Sequence, residues 1–144
     1  MKMENRYLYK AKRIDNGEWV DGFYVKGSDM YGKETHVIFE TDAIFYSHGE
    51  TDGFAEINPA TICQCTGLKD KNGELIWEND IMCLTYGSHR KYGYVRYGEY
   101  NCSCCEGVYG WYFENEDIRH NDWYEVVGNT FDNPELLEGK NHAD

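Results

Sequence analysis

At 144 residues, with 41% hydrophobic side chains and 28% charged ones, the chain is long enough to bury a core and too apolar to stay disordered. Its apolar runs stop at about four residues, far short of the ~20 that a membrane-spanning helix needs, and no secretory-type apolar stretch follows residues 1–6. The net charge of −12 repels phosphate backbones and argues against duplex binding. A cytoplasmic protein is expected.

The charge is unevenly placed. Residues 34–80 and 101–144 are strongly acidic, whereas 1–33 and 81–100 are mildly basic. Aromatics make up 16% of the chain, with 13 Tyr and 4 Trp, a bias that favours strands. From the N-terminus, Tyr7, Tyr9 and Ala11 alternate with Leu8, Lys10 and Lys12, the period of a half-buried strand. Asp15-Asn16-Gly17 turns this strand into Trp19 to Val25, a first hairpin. Residues 27–33 read as a loop. His36 to Phe39 and Ala43 to Tyr46 read as two short strands, with a polar loop over 47–53. Asn58-Pro59 could cap one helical turn, while Thr61-Ile62-Cys63 suits a strand equally well, so residues 60–66 stay open between the two.

Next comes Gly67-Leu68-Lys69-Asp70-Lys71-Asn72-Gly73-Glu74-Leu75-Ile76-Trp77-Glu78-Asn79-Asp80-Ile81-Met82. It reads as turn, short strand, turn, strand, with Asn72-Gly73 as a primed hairpin turn in which both residues need φ > 0. Tyr92 to Tyr97, Val108 to Phe113 and Trp123 to Val127 follow as further strands. Their lengths and spacing suggest a small antiparallel barrel over residues 68–131, although periodicity does not choose between barrel and sandwich. Asn133-Pro134-Glu135-Leu136-Leu137 reads as a short terminal helix, with Asn133 as cap and Pro134 in the first position.

The segment from Gly67 to Met82 resembles the signature of the YopX family, small proteins of phages and prophages in Gram-positive bacteria. Gly67, Asp70, Gly73 and Asp80 are its fold-signature positions here. The resemblance extends to Tyr9-Lys10-Ala11-Lys12-Arg13 and Glu18-Trp19-Val20-Asp21-Gly22 at the start. At the end it takes in Tyr124-Glu125-Val126-Val127-Gly128-Asn129 and Asn133-Pro134-Glu135-Leu136. It implies a mainly β fold, with a small SH3-like antiparallel barrel, an additional N-terminal β region and short helical pieces. The corresponding division is 1–66 for the N-terminal β region, 67–132 for the barrel and 133–144 for helix and tail, or else one interlocked domain.

Six cysteines fall as Cys63-x-Cys65, Cys83 and Cys102-x-Cys104-Cys105. Residues two apart in a strand share a face, so Cys63 and Cys65 with Cys102 and Cys104 could offer four thiolates to zinc. Common structural zinc sites use longer spacers, and free cysteines most often pack in cores. Core packing is therefore the expectation for Cys63 and Cys65, and no cofactor is expected. Structural disulfides are disfavoured in a cytoplasmic chain. Asp70-Lys71-Asn72-Gly73 misses the calcium-loop pattern, since its glycine falls at the fourth position rather than the sixth. There is no Walker sequence, no G-x-S-x-G and no H-E-x-x-H, and the five histidines are scattered. No enzyme is expected.

Tyr92, Tyr94, Arg96 and Tyr97 form the one local patch of aromatic and basic residues. Such a patch could stack bases, but the overall charge favours a protein-facing role, for which Tyr and Arg are the enriched residue types. The reading is a non-enzymatic phage or prophage accessory protein acting through protein–protein contacts. Its partners are a second copy of itself and a host or phage protein, with no membrane. The basic N-terminal strand, with Lys10, Lys12 and Arg13, is the element expected to lie against an acidic stretch of another copy. The alternative is a module that binds a metal or single-stranded nucleic acid.

Overall fold

The computed structural model describes residues 5–47, 51–101, 106–114, 116–118 and 123–138. The chain divides into two compact units, Met1–Cys65 and Thr66–Asp144. Among the described residues secondary structure is antiparallel β, and helix is confined to 3-10 turns at Asn5–Tyr7, Pro59–Thr61 and Pro134–Leu137.

The first unit is one sheet. Its strands are β1 (Tyr9–Lys12), β2 (Trp19–Ser28), β3 (Glu34–Phe45), β4 (Thr51–Glu56) and the opening residues of β5 (Cys63–Lys69), in the order β4-β3-β2-β1-β5. The first hairpin closes where Arg13 N–H donates to the Glu18 carbonyl (2.9 Å) and Gly17 takes φ +74°. The next turn is shorter than the expected 27–33 loop. β2 runs to Ser28, and the Asp29 Oδ1 oxygen accepts from the N–H groups of Tyr31 (2.8 Å) and Lys33 (2.9 Å). That is how a short acidic side chain stands in for a backbone turn.

His36 to Phe39 and Ala43 to Tyr46 are not two strands. His36 to Phe39 and Ala43 to Phe45 lie in β3, whose pairing with β4 shifts register between Phe39 and Ile44. Such an irregularity accommodates extra residues without ending the strand. At Gly22 a side chain is excluded outright, because a Cβ there would lie 2.0 Å from the Phe39 carbonyl oxygen. Ala11, Val20, Ile38, Ala55 and Ile57 make the buried side of this sheet.

The choice left open at 60–66 is resolved by capping. Asn58 Oδ1 accepts from Ala60 N–H (3.0 Å), which starts one 3-10 turn, and the strand begins at Cys63. The Thr61 hydroxyl then ties the turn to β1 by accepting from Lys12 N–H (2.8 Å) and donating to the Asn58 carbonyl (2.7 Å).

The second unit takes the rest of β5, β6 (Leu75–Trp77), β7 (Asp80–Tyr86), β8 (His89–Tyr94), β9 (Arg96–Tyr100), β10 (Val108–Phe113), β11 (Glu116–Asp117) and β12 (Tyr124–Asn129). Two three-stranded sheets run in the orders β12-β7-β8 and β11-β10-β9, and β6 pairs with β5. Ile76, Met82, Leu84, Val95, Phe113, Ile118 and Tyr124 fill the core. Among the described residues these pairings form separate sheets and close no ring. Antiparallel β is what the sequence predicts; the barrel, and with it the SH3-like comparison, does not follow from these pairings.

The expected strand from Tyr92 to Tyr97 is two strands in different sheets. Val95 is the break: its N–H donates to the Asp80 carbonyl (2.8 Å) and its carbonyl accepts from Asn79 N–H (2.8 Å). A fully buried residue bonded to a different segment cannot continue either ladder. At the other end, Asn133 makes no side-chain cap on the Pro134–Leu137 turn. Its Oδ1 instead accepts from Asn129 N–H (3.2 Å).

Candidate interaction surface

The signature residues are scaffold. Asp70 is 1% exposed, and its carboxylate accepts from three backbone N–H groups, those of Asn72, Glu74 and Val126, each at 2.9 Å. A charge out of water is tolerated when its lone pairs are taken up in this way. Asp80 is likewise buried and accepts from Trp77 N–H (2.9 Å), bracing the turn in which Asn79 adopts φ +69°.

The turn at Gly73 differs from the primed type. Gly73 has φ +80°, Asn72 is not in the positive-φ region, and Gly73 N–H donates to the Asp70 carbonyl (3.0 Å) while Asp70 N–H donates to that of Glu74 (2.9 Å). This is the three-residue hairpin with one left-handed glycine, chosen because the Asp70 side chain holds the turn from inside. Gly67, at φ +77°, gives a kink in β5 beside Thr66, whose hydroxyl accepts from Leu68 N–H (3.0 Å) and donates to the Ile76 carbonyl (2.7 Å).

The thiols of the first cysteine pair are enclosed. Cys63 and Cys65 are 1% and 0% exposed, and the Cys63 thiol donates to the Thr61 carbonyl at 3.3 Å. Cys83 is also buried. Cys102 and Cys104, the other half of the four-thiolate idea, lie outside the described residues.

Of the four residues of the aromatic–basic patch, the structure joins Arg96 with Tyr94 and adds Tyr112, while Tyr97 lies on the other face of its strand. Tyr92 and Tyr94 sit on β8, and Arg96 and Tyr97 on β9. The Arg96 guanidinium lies 4.7 Å from the Tyr94 ring centroid and 5.1 Å from that of Tyr112, and its Nη1 donates to the Tyr94 hydroxyl at 2.7 Å. Tyr112 comes into range because it pairs with Arg96 across β9 and β10. Further along, Gly98 pairs with Gly110, and the missing side chains leave room for the rings of Tyr100 and Tyr112 to stack with centroids 4.9 Å apart.

On the opposite face of these strands Tyr97 meets Trp111 edge-on at 5.3 Å. Tyr97 and Tyr109 are well exposed, whereas Tyr92, Tyr94 and Arg96 are half-buried. Burial opposes the Arg96 charge, and the hydroxyls of Tyr94 and Tyr112 outweigh it, so its pKa is raised. Among the described residues Arg96 has no carboxylate partner, and its Nε is buried without an acceptor.

Two features of the first unit escape a reading of the sequence. Lys26 pairs with His36, which brings Tyr24 diagonally against the imidazole. The Tyr24 hydroxyl is hydrogen-bonded to His36 Nδ1, His36 Nε2 lies 3.1 Å from Glu34 Oε2, and Lys26 Nζ lies 2.9 Å from Glu34 Oε1. Hydrogen bonds from Lys26 and then His36 hold the Glu34 carboxyl below the ordinary glutamate range. Matched alternation of Tyr24 and Lys26 with Glu34 and His36 was the available signal, but it needs the hairpin register to be read.

The second feature is the outer face of the same sheet. Register places Phe23 and Val25 of β2, Val37 and Phe39 of β3, and Phe54 of β4 side by side on it. Phe23, Val25 and Phe54 are 40%, 44% and 49% exposed.

The architecture defines a class: a two-unit antiparallel β protein whose signature carboxylates organise turns and which exposes Phe23, Phe54, Tyr97 and Tyr109. The YopX protein family model matches residues 3–138, and the chain belongs to that family. A crystal structure of protein EF1440 from Enterococcus faecalis is similar, with a TM-score of 0.52 and 25% sequence identity over 90% of this chain and 96% of that one. No functionally curated protein matches.

Proposed function

We propose that the chain is a non-enzymatic phage or prophage accessory protein that works in the host cytoplasm through protein–protein contacts, including contacts with its own copies. The observation that carries this reading is the Arg96 cluster: a guanidinium fixed between the rings of Tyr94 and Tyr112, without a carboxylate partner among the described residues. Arginine and tyrosine are the residues that most often dominate protein interfaces. An arginine that is already ordered loses little side-chain entropy on meeting a partner's carboxylate. The acidic balance of the chain supports a protein partner over a nucleic acid.

The test is affinity capture from a bacterial host with wild-type chain, Arg96→Ala and Tyr94→Ala, each checked for native circular dichroism. Loss of a specific captured protein in the variants is the expected result. Identical capture by all three overturns the role of this cluster. Tight single-strand binding, or stoichiometric zinc lost on replacing Cys102 and Cys104 with serine, would put the alternative module in its place.

A further inference from the structure

We infer that Tyr24 is a modification site: its hydroxyl, activated by His36 and Glu34, takes the acyl group of an uncharged activated acyl donor, an aryl ester or a thioester. The site belongs to the first unit and is independent of the partner reading built on Arg96.

Three side chains form a directed chain of hydrogen bonds. β2 and β3 pair with Lys26 opposite His36 and Tyr24 opposite Ile38, so Tyr24 and His36 are diagonal neighbours on one face of the sheet. His36 Nε2 lies 3.1 Å from Glu34 Oε2, and Lys26 Nζ holds the other oxygen of that carboxylate at 2.9 Å. The Glu34 carboxyl, kept below the ordinary glutamate range by Lys26 and His36, has no proton to give. In the neutral imidazole Nε2–H therefore donates to Glu34, and Nδ1 is left as the acceptor. The group bonded to Nδ1 is the Tyr24 hydroxyl. Nucleophile, base and orienting carboxylate stand in the order that makes a weak nucleophile reactive.

The arrangement is held in place yet reaches solvent. The Tyr24 and His36 rings are parallel to within 4°, the Tyr9 ring packs on Tyr24 with centroids 5.8 Å apart, and Tyr24 lies against the core of the sheet. The His36 side chain is 14% exposed and that of Glu34 60%. A hydroxyl fixed toward its base needs little further ordering to react. Attack by Tyr24 Oη forms the bond to the acyl carbon and passes the hydroxyl proton to His36 Nδ1. The bond from the acyl carbon to the leaving oxygen or sulfur breaks, and the departing atom takes that proton from His36. An uncharged donor is favoured because Glu34 and the net charge of −12 repel phosphoryl and other anionic donors.

The test is acetylation of the full chain by p-nitrophenyl acetate at about pH 8, where a histidine is ordinarily neutral, with each tyrosine followed by mass spectrometry. Tyr31 is the internal reference: at 87% exposure it should react faster if access alone sets the rate. Tyr24 should instead be acetylated at least about tenfold faster than Tyr31. Hydroxylamine should release the adduct, as it does a phenyl ester and not a lysine amide. Glu34→Gln, a change at an exposed carboxylate, should slow Tyr24 and leave Tyr31 unchanged, and His36→Gln should slow Tyr24 further. Tyr24 reacting no faster than Tyr31, or at a rate indifferent to both substitutions, overturns the site. Should His36→Gln alter the circular dichroism spectrum, Glu34→Gln alone decides the matter.

Discussion

The two units solve the problem of specifying a β structure by different means. The first relies on close approach of backbones and on small residues: Gly22 against the Phe39 carbonyl, and Ala11 and Ala55 in the core. The second relies on buried carboxylates, Asp70 and Asp80, that gather backbone N–H groups of turns and of β12. It also fills its core with larger side chains, Phe113, Met82 and Tyr124. The first unit exposes Phe23, Val25 and Phe54 on one face of its sheet, and the second exposes Tyr97 and Tyr109 on the face of β9 and β10 opposite Arg96. A polar anchor fixes geometry locally and survives changes of the surrounding surface. A close-packed backbone contact tolerates no side chain at all.

The sharpest way to break this comparison is to attack each device in turn. Asp70→Ala should be the most damaging substitution in the second unit, at about 3 kcal/mol, since three backbone N–H donors lose the buried carboxylate they share. Gly22→Ala should be of similar size in the first unit, because the Cβ can be admitted only by moving β3. Urea denaturation of both variants checks the pair. A Gly22→Ala protein as stable as wild type would mean that backbone approach does not specify the first sheet.

A smaller effect separates the turn's glycine from its charges. Gly73→Val should cost about 1–3 kcal/mol, as strain at φ +80° with open space around the side chain. Lys71→Ala should change stability by less than about 0.5 kcal/mol, because its 3.9 Å pair with Glu125 is partly exposed. Equal losses from the two substitutions would show that the turn is held by charge rather than by Asp70 and glycine.

The smallest effect is on pH dependence. Glu34 and Asp15 both have pKa values below their ordinary ones, Glu34 through hydrogen bonds from Lys26 and His36, and Asp15 through its hydrogen bond from Arg13. A depressed folded-state value means that the stabilisation is fully present above the unfolded pKa of about 4. It is lost as pH falls through the lower folded value. Carboxyl titration by nuclear magnetic resonance should place both midpoints below ordinary carboxylates, and Lys26→Ala should move Glu34 back upward. Both groups sit at the surface of the first unit, so the second unit should not respond to either change.

Much of this was present in the order of residues. Period-two alternation in Tyr9 to Lys12, glycines after Asn16 and Asn72, and Asn58-Pro59 ahead of a turn are local signals, and strands, hairpins and the 3-10 turn form where they stand. The Gly67 to Met82 signature likewise sufficed to mark the family. Local signals also misled where tertiary partners took over. Val95 interrupts an apparently continuous run only because Asp80 and Asn79 claim its backbone, and Asn72 keeps negative φ because the Asp70 carboxylate reaches the turn from within. Which residues meet across strands was beyond the sequence altogether. Tyr112 beside Arg96, His36 between Tyr24 and Glu34, and Phe54 next to Phe39 depend on register, and register is fixed by the sum of many pairings rather than by any one residue.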